Sequence, residues 1–248
     1  MTLVRLLLYA GCAAVLLLTT LSIRLLVVLR RTHSTPRRSP RPATDEALLA
    51  VFLGSGGHTA EMMRLVAHLD FARRFTTRVW IVSSGDAMSE QKALAMEKQI
   101  GSGKFRILRI PRARRVHQSY LTSPFTTLHS LAFCLWHITL SPLLFSPRPG
   151  RKRVFADLIL LNGPGSCVPI AASTFLPRLL ALPHSRLVYV ESLARTRRLS
   201  LSATLVRPLV DRFFVQWESL RDELVKREKA GGGGTRLTTR VECEGWLM

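Results

Sequence analysis

Residues 6–23 form an uncharged run of 18, and the apolar pattern resumes after Arg24 as far as Leu29. Read as a helix, residues 6–29 rise about 36 Å, enough to cross a hydrocarbon core of ~30 Å with some tilt. A cleaved leader has a shorter apolar region, about 7–15 residues, closed by a small-residue cleavage site. Here Arg30 and Arg31 follow instead. The pattern predicts a transmembrane anchor over 1–30, with Arg24 near enough to its end to snorkel to the interface. Past residue 46 the period changes. Short apolar, β-branched or aromatic runs at 47–53, 78–84, 104–110, 157–161, 186–190 and 212–216 read as strands. Segments of helix length, such as 58–69 and 88–100, separate most of them. That alternation predicts an α/β architecture, with one Rossmann-like domain over 47–230 behind the transmembrane helix.

Residues 116–147 carry no formal charge, with histidine counted neutral. Leu128, Leu131, Ala132 and Leu135 fall at helical spacing, with Thr127, Ser130 and His137 on a weakly polar side. Pro124, Pro142 and the polar residues argue against a second span. Two readings stay open, a buried core helix and an interfacial helix gripping a lipid.

Charge refines the picture. Arg30, Arg31, Arg37, Arg38 and Arg41 follow the first span and only Arg5 precedes it, so the positive-inside bias places the body in the cytosol. The Pro/Arg-rich stretch 31–46 is too polar and too broken to fold and reads as a tether. Residues 231–248 read as a Gly-rich linker and a tail, the tail being either one more edge strand or an arm reaching a partner. The net charge of +20 raises nucleic acid as a partner. However, the clusters RIPRARR (109–115), RPGRKR (148–153) and RTRR (195–198) contain no aromatics, and no nucleic-acid motif is present. Anionic lipid headgroups fit an anchored basic chain better. The cysteines at 12, 134, 167 and 243 show no metal-ligand or redox spacing.

Three motifs fall at predicted strand ends: GSGGHT (54–59) after the first strand, NGPGS (162–166) after the fourth and ES (191–192) after the fifth. In a parallel sheet these ends share one edge, where such folds bind ligands. The first loop is no dinucleotide fingerprint, because Thr59 replaces the third glycine and Ser83 and Ser84 stand where an acidic residue should close the second strand. It lacks the lysine of a P-loop. What remains is a glycine turn at a helix start, which suits a diphosphate; Gly54, Ser55, Gly56 and Gly57 offer its backbone donors. His58 and Glu191 are the titratable side chains at strand ends on that edge, and the sequence leaves open which of them is a base. Arg195 offers a bidentate grip on phosphate. No Asp-x-Asp pair is present to clamp a metal-bound sugar nucleotide.

GSGGHTAEM, QSYLTSPFTTLHS, DLILLNGPGSCVPI, ES-x-x-R…LSLS and DRFFVQW, in that order, resemble the membrane-anchoring subunit of the dolichol-pathway UDP-N-acetylglucosamine transferase. The chain is also similar, more distantly, to the acceptor half of the bacterial enzyme that glycosylates a cell-wall lipid diphosphate. It departs from the family's pattern at Leu161, Arg198 and Ala203. The resemblance implies the acceptor half of a glycosyltransferase B type fold at the cytosolic face of the endoplasmic reticulum. It implies a separate donor-binding catalytic subunit and transfer of N-acetylglucosamine onto dolichyl-diphosphate-N-acetylglucosamine, without cofactor or metal. On that basis His58 and Glu191 are the catalytic candidates. Gly54, Ser55, Gly56, Gly57, Thr59, Asn162, Gly163, Gly165, Ser192 and Arg195 hold the acceptor diphosphate, and Gly245, Trp246, Leu247 and Met248 hold the partner. One Rossmann-like unit is half of what a complete two-domain transferase needs, so the chain alone is expected to be inactive. The rivals are a membrane scaffold with no catalytic residues and a self-contained nucleotide-sugar or NAD-dependent enzyme.

Overall fold

The computed structural model describes residues 2–34, 46–114, 118–119, 121–145, 153–230 and 241–245. Most of the predicted tether and the Gly-rich linker fall outside these residues, as do Trp246, Leu247 and Met248. The strands are β1 (Leu48–Leu53), β2 (Thr77–Ser83), β3 (Lys104–Ile110), β4 (Leu158–Leu161), β5 (Arg186–Val190), β6 (Arg212–Phe214) and β7 (Val241–Glu242). They form one parallel sheet in the order β3-β2-β1-β4-β5-β6-β7. The tail thus contributes an edge strand, tied by the Arg212–Glu242 ion pair and by Val215 N–H donating to Glu242 O at 2.9 Å. The strand order reverses between β1 and β4, which pair directly. A doubly wound sheet opens its ligand crevice at that point, outside the carboxyl ends of the strands.

β1 sits between β2 and β4 and is buried along its whole length. Its odd and even residues serve opposite faces, the period-2 consequence of a strand covered on both sides. Leu49, Val51 and Leu53 join Met62, Val66 and Ala93 from α2 (Gly57–Val66) and α3 (Ala87–Ile100). Leu48, Ala50 and Phe52 join Cys134, Ile138, Cys167 and Ile170 on the other face. There the helices are α4 (Ser123–Cys134), continued by a π-helical turn (Leu135–Leu140) into α5 (Ser141–Phe145), then α6 (Cys167–Leu179), α7 (Leu201–Val206) and α8 (Glu218–Ala230). Asp86 caps α3 by accepting from Ser89 N–H, and Gly101 ends it in the left-handed conformation. A buried ion pair bolts that helix to β2, with Arg78 reaching both Glu97 oxygens at 2.8 and 2.7 Å.

The N-terminal helix α1 is Thr2–Ser34, of which Arg5–Leu29 is long and apolar enough to cross a membrane. Leu6, Leu7, Leu8 and Tyr9 are 62–72 % exposed, so none of the described residues covers this part. Its far end docks on the domain: Val28 is buried, and Arg24 Nε donates to Leu179 O at 3.1 Å. Arg24 therefore has a specific acceptor, a carbonyl in the last turn of α6 that the helix itself cannot pair.

Ser123–Phe145 is a second helical run of the length and apolarity of a span. Cys134 and Ile138 on it belong to the sheet's core, so it is a layer of the domain, which selects neither sequence reading outright. The side that carries Thr127 and Ser130 is the one that meets the domain. Ser130 is fully buried and donates to Pro111 O at 2.7 Å, Thr126 and Thr127 donate to Ala113 O, and Thr139 donates to Ser173 O at 2.6 Å. Phe125, Leu128, Trp136, Leu140 and Leu144 face outward. The hydroxyls turn inward because backbone carbonyls of neighbouring segments need donors, and each buried carbonyl left without one would cost about 1–3 kcal/mol.

Candidate active site

The loop after β1 begins at a contact only glycine permits. A Cβ on Gly54 would lie 2.5 Å from Pro164 Cδ and 2.8 Å from Asn162 O, so its absence lets the loops after β1 and β4 abut. Ser55 and Gly56 then turn the chain through positive φ (73° and 56°). Only the glycine adopts that geometry without steric cost; at Ser55 it is a local strain. At Gly56 a Cβ would meet nothing within 4 Å, so the residue is required for its backbone conformation and not to make room. α2 starts directly at Gly57, with no side-chain cap and no acidic residue in its first turn. Its first N–H groups have no intrahelical acceptor and face the crevice at the positive end of the helix.

His58 is fixed on two sides. Its Nδ1 lies 2.9 Å from Asn162 Oδ1, and its ring lies over Gly163, where a Cβ would come within 2.7 Å of His58 Cγ. The Asn162 amide donates through Nδ2 to Glu61 Oε2 at 3.0 Å. This orients its oxygen toward His58, so Nδ1 carries the proton and donates. The half-buried imidazole is left with Nε2 as its unsatisfied atom. Ser192 Oγ donates to the other Glu61 oxygen at 2.8 Å, so one carboxylate joins the loops after β4 and β5 to α2. Gly163, at φ 111°, is pinned in turn by Ser202 Oγ and Tyr189 OH, both donating to its carbonyl.

Glu191 is sited differently. It is 1 % exposed, and its carboxylate accepts from Ser192 N–H (3.1 Å), Ser200 N–H (3.0 Å) and Ser200 Oγ (3.1 Å). Both ends of the loop 192–200 are thereby clasped to one buried group, and Ser200 also caps α7 by accepting from Ala203 N–H. Burial first, and then the nearby Glu191 charge, push the Cys167 thiol well above its ordinary value. Burial, with Cys167 and Glu191 adding to it, pushes the Tyr189 phenol up as well.

The residues expected at the site divide into four groups. Gly54, Ser55, Gly56, Gly57, His58, Asn162, Gly163 and Ser192 converge at the switch point, with Gly165 exposed in the same β4 loop. Arg195 is exposed in the loop after β5, its backbone N–H held by Ser192 O at 3.0 Å. Thr59 is turned away: it is 1 % exposed, and its hydroxyl lies 2.6 Å from Ser89 Oγ at the start of α3. Gly245 lies just past β7, at the sheet's far edge, with β5 and β6 between it and β4. Glu61 and Ser200 are the participants the sequence reading missed. Glu61 had a usable signal, since a carboxylate three residues after His58 on a helix shares its face. Ser200 had none, because its partner is fixed only by how the loop folds back.

Residues 49–232 match the family model described as "Oligosaccharide biosynthesis protein Alg14 like". Among similar proteins, the UDP-N-acetylglucosamine transferase subunit ALG14 of Candida albicans is 39% identical over 227 residues, covering 90% of this chain and 96% of the relative. The subunit of the same name in Cryptococcus neoformans is 40% identical over 206 residues, covering 82% and 87%. The human one is 38% identical over 226 residues, covering 88% and 92%. The aligned stretch spans the glycine turn, the β4 loop and the Glu191 clasp, and the chain belongs to the Alg14 family.

Proposed function

We propose that this chain is the membrane-bound, acceptor-binding subunit of a UDP-N-acetylglucosamine transferase, acting on dolichyl-diphosphate-N-acetylglucosamine at the cytosolic face of the endoplasmic reticulum. The observation that carries the reading is His58, held by Asn162 over Gly163 beside the uncapped start of α2, at the switch point of the sheet. The names of the relatives supply the sugar nucleotide and the status of subunit. The donor-binding half comes from a partner, whose docking falls to the tail beyond β7, from Gly245 through Trp246, Leu247 and Met248.

In this reading the N–H groups at the start of α2 and the glycine turn hold the acceptor diphosphate, with the Arg195 guanidinium closing over it. The acceptor sugar's hydroxyl oxygen attacks the anomeric carbon of UDP-N-acetylglucosamine on the face opposite the leaving group. The carbon–oxygen bond to the diphosphate breaks, UDP departs, and the hydroxyl proton passes to His58 Nε2. Glu191 holds the loop that carries Ser192 and Arg195 and leaves the proton to His58. α1 spans the bilayer, and the outward Phe125, Leu128, Trp136 and Leu144 of the α4–α5 run rest in its interfacial layer. That face would otherwise be a large apolar patch in water.

The test is reconstitution in vesicles with a lipid-diphosphate-linked N-acetylglucosamine acceptor, with and without the donor-binding subunit. Turnover is expected only with both, and removal of 245–248 is expected to abolish co-purification of the pair while leaving the chain in the membrane. UDP-N-acetylglucosamine turnover by the purified chain alone would overturn the subunit reading.

A further inference from the structure

We infer that Glu61 is a positioning residue for the transfer: acting through Asn162, it holds His58 in the Nδ1–H tautomer, so that Nε2 meets the acceptor hydroxyl as a free base. The inference rests on His58 serving as the base and adds what determines which nitrogen is available. The chain of donors runs one way. Glu61 Oε2 accepts from Asn162 Nδ2 at 3.0 Å, which forces the amide oxygen toward His58. That oxygen, 2.9 Å from Nδ1, can only accept, so the ring proton sits on Nδ1. A free imidazole in water favours the opposite tautomer, with the proton on Nε2. Without a fixed acceptor at Nδ1, the ring would present a proton where the reaction needs a lone pair.

The construction supports a dedicated role. Asn162 is fully buried, so its amide cannot turn to water for other partners. Glu61 uses its second oxygen to accept from Ser192 Oγ at 2.8 Å, which keeps the carboxylate from rotating away from Asn162. Gly163 removes the side chain that would push the ring off this axis. The other ionisable groups of the surrounding elements have their own places. Glu191 is engaged by Ser192 and Ser200, the Cys167 thiol and the Tyr189 phenol are held neutral by burial, and Arg195 is exposed. Among these, Glu61 is the carboxylate that reaches the His58 relay.

The test uses the full chain with its donor-binding partner and reads both turnover and the imidazole. In 15N-histidine NMR of the chain in detergent, the His58 signal is identified among the seven histidines by its loss in His58→Ala. It is expected to report a protonated Nδ1 and a bare Nε2. Glu61→Ala is expected to shift the ring toward the Nε2–H form and lower kcat about 10–100-fold, the scale on which outlying partners act through a catalytic group. Acceptor KM should stay within about twofold, because the diphosphate contacts are made elsewhere. Glu61→Gln keeps an oxygen for Asn162 and a polar group for Ser192, so it should retain the tautomer and recover most of the turnover, within about fivefold of the parent. It also guards against misfolding of the alanine variant. A Glu61→Ala chain with the tautomer unchanged, or with raised KM and unaltered kcat, would overturn the inference. If His58→Ala leaves turnover intact, the base reading itself falls; if His58→Ala is inactive but tautomer and turnover ignore Glu61, only the relay does.

Discussion

The loops after β1 and after β5 reach the same edge of the sheet, and each carries one titratable side chain that sequence marks for catalysis. Their surroundings are opposite. His58 is half-buried and is gripped through one nitrogen, which leaves the other without a partner among the described residues. Glu191 is sealed at 1 % exposure, with its carboxylate taken up by Ser192 and Ser200. A group meant to exchange a proton with a substrate needs a free atom within reach of it. A group meant to hold a loop needs all its lone pairs occupied and no water competing. One edge therefore combines the loop proposed to react with a loop built to support, and Glu61, which bonds both Asn162 and Ser192, joins them.

The sharpest way to break this comparison is to remove each group in turn. His58→Ala in the assembled complex is expected to lower kcat by about 10²–10⁴-fold, with a smaller drop in melting temperature than Glu191→Ala because it removes one hydrogen bond, to Asn162. Steady-state kinetics beside a thermal melt would check both halves. Gly163→Ala perturbs the same loop from beneath. The new Cβ would lie 2.7 Å from His58 Cγ and 3.0 Å from its Cβ, and φ 111° is strained for alanine, so the ring must move. Displacement of about 1 Å at a reacting group costs on the order of 10²-fold, to be read in kcat with acceptor affinity measured separately.

Glu191→Ala should show the reverse profile. It leaves two buried N–H donors and a hydroxyl without their acceptor, a loss of about 2–4 kcal/mol read by denaturant unfolding. Activity should fall mainly through loosening of the loop 192–200, seen as raised protease sensitivity there. A stable Glu191→Ala protein with kcat reduced as far as in His58→Ala would make Glu191 a reacting group and dissolve the contrast.

The smallest expected effect is on pH dependence. Burial raises Cys167 above its ordinary 9.0 and raises Tyr189 above 10.0, so folding favours their neutral forms. The stability this contributes is fully present below about pH 9 and is lost as pH rises beyond it, when the unfolded chain ionises more readily than the folded one. The melting temperature should therefore fall above pH 9, less steeply in Cys167→Ala. Within the native chain, Cys167 should resist thiol reagents at pH 8, whereas the partly exposed Cys243 should react. Rapid labelling of Cys167 in the folded protein would show that the core around Glu191 opens to solvent.

Much of this was legible in the residues. Strand positions were recoverable because a strand buried on both faces, such as β1, is a continuous apolar run. The glycine turn could be recognised because GSGG before a helical pattern admits few backbone solutions. Other features depended on contacts distant in sequence. Thr59 belonged by position to the phosphate loop, yet Ser89, 30 residues on, takes its hydroxyl. Arg24 suggested a snorkelling side chain, yet its acceptor is Leu179 O, 155 residues away. Leucine spacing left Leu128 open to either the core or a lipid face, and the hydroxyls of Ser130 and Thr139 took the interior because buried carbonyls awaited them.

The sequence by itself determined the long apolar N-terminal helix, the alternation of strands and helices, the glycine turn and the resemblance to the family. Each of these is encoded in residues close together, through periodicity, apolar length and backbone sterics. Only the tertiary structure decided that Asn162 bonds both His58 and Glu61, that Glu191 is a clasp, and that Leu128, Leu140 and Leu144 face outward. Such assignments depend on which donor finds which acceptor, for Asn162 across sequence separations of 101 and 104, a question hydrogen-bond geometry answers only after the sheet has brought the loops together.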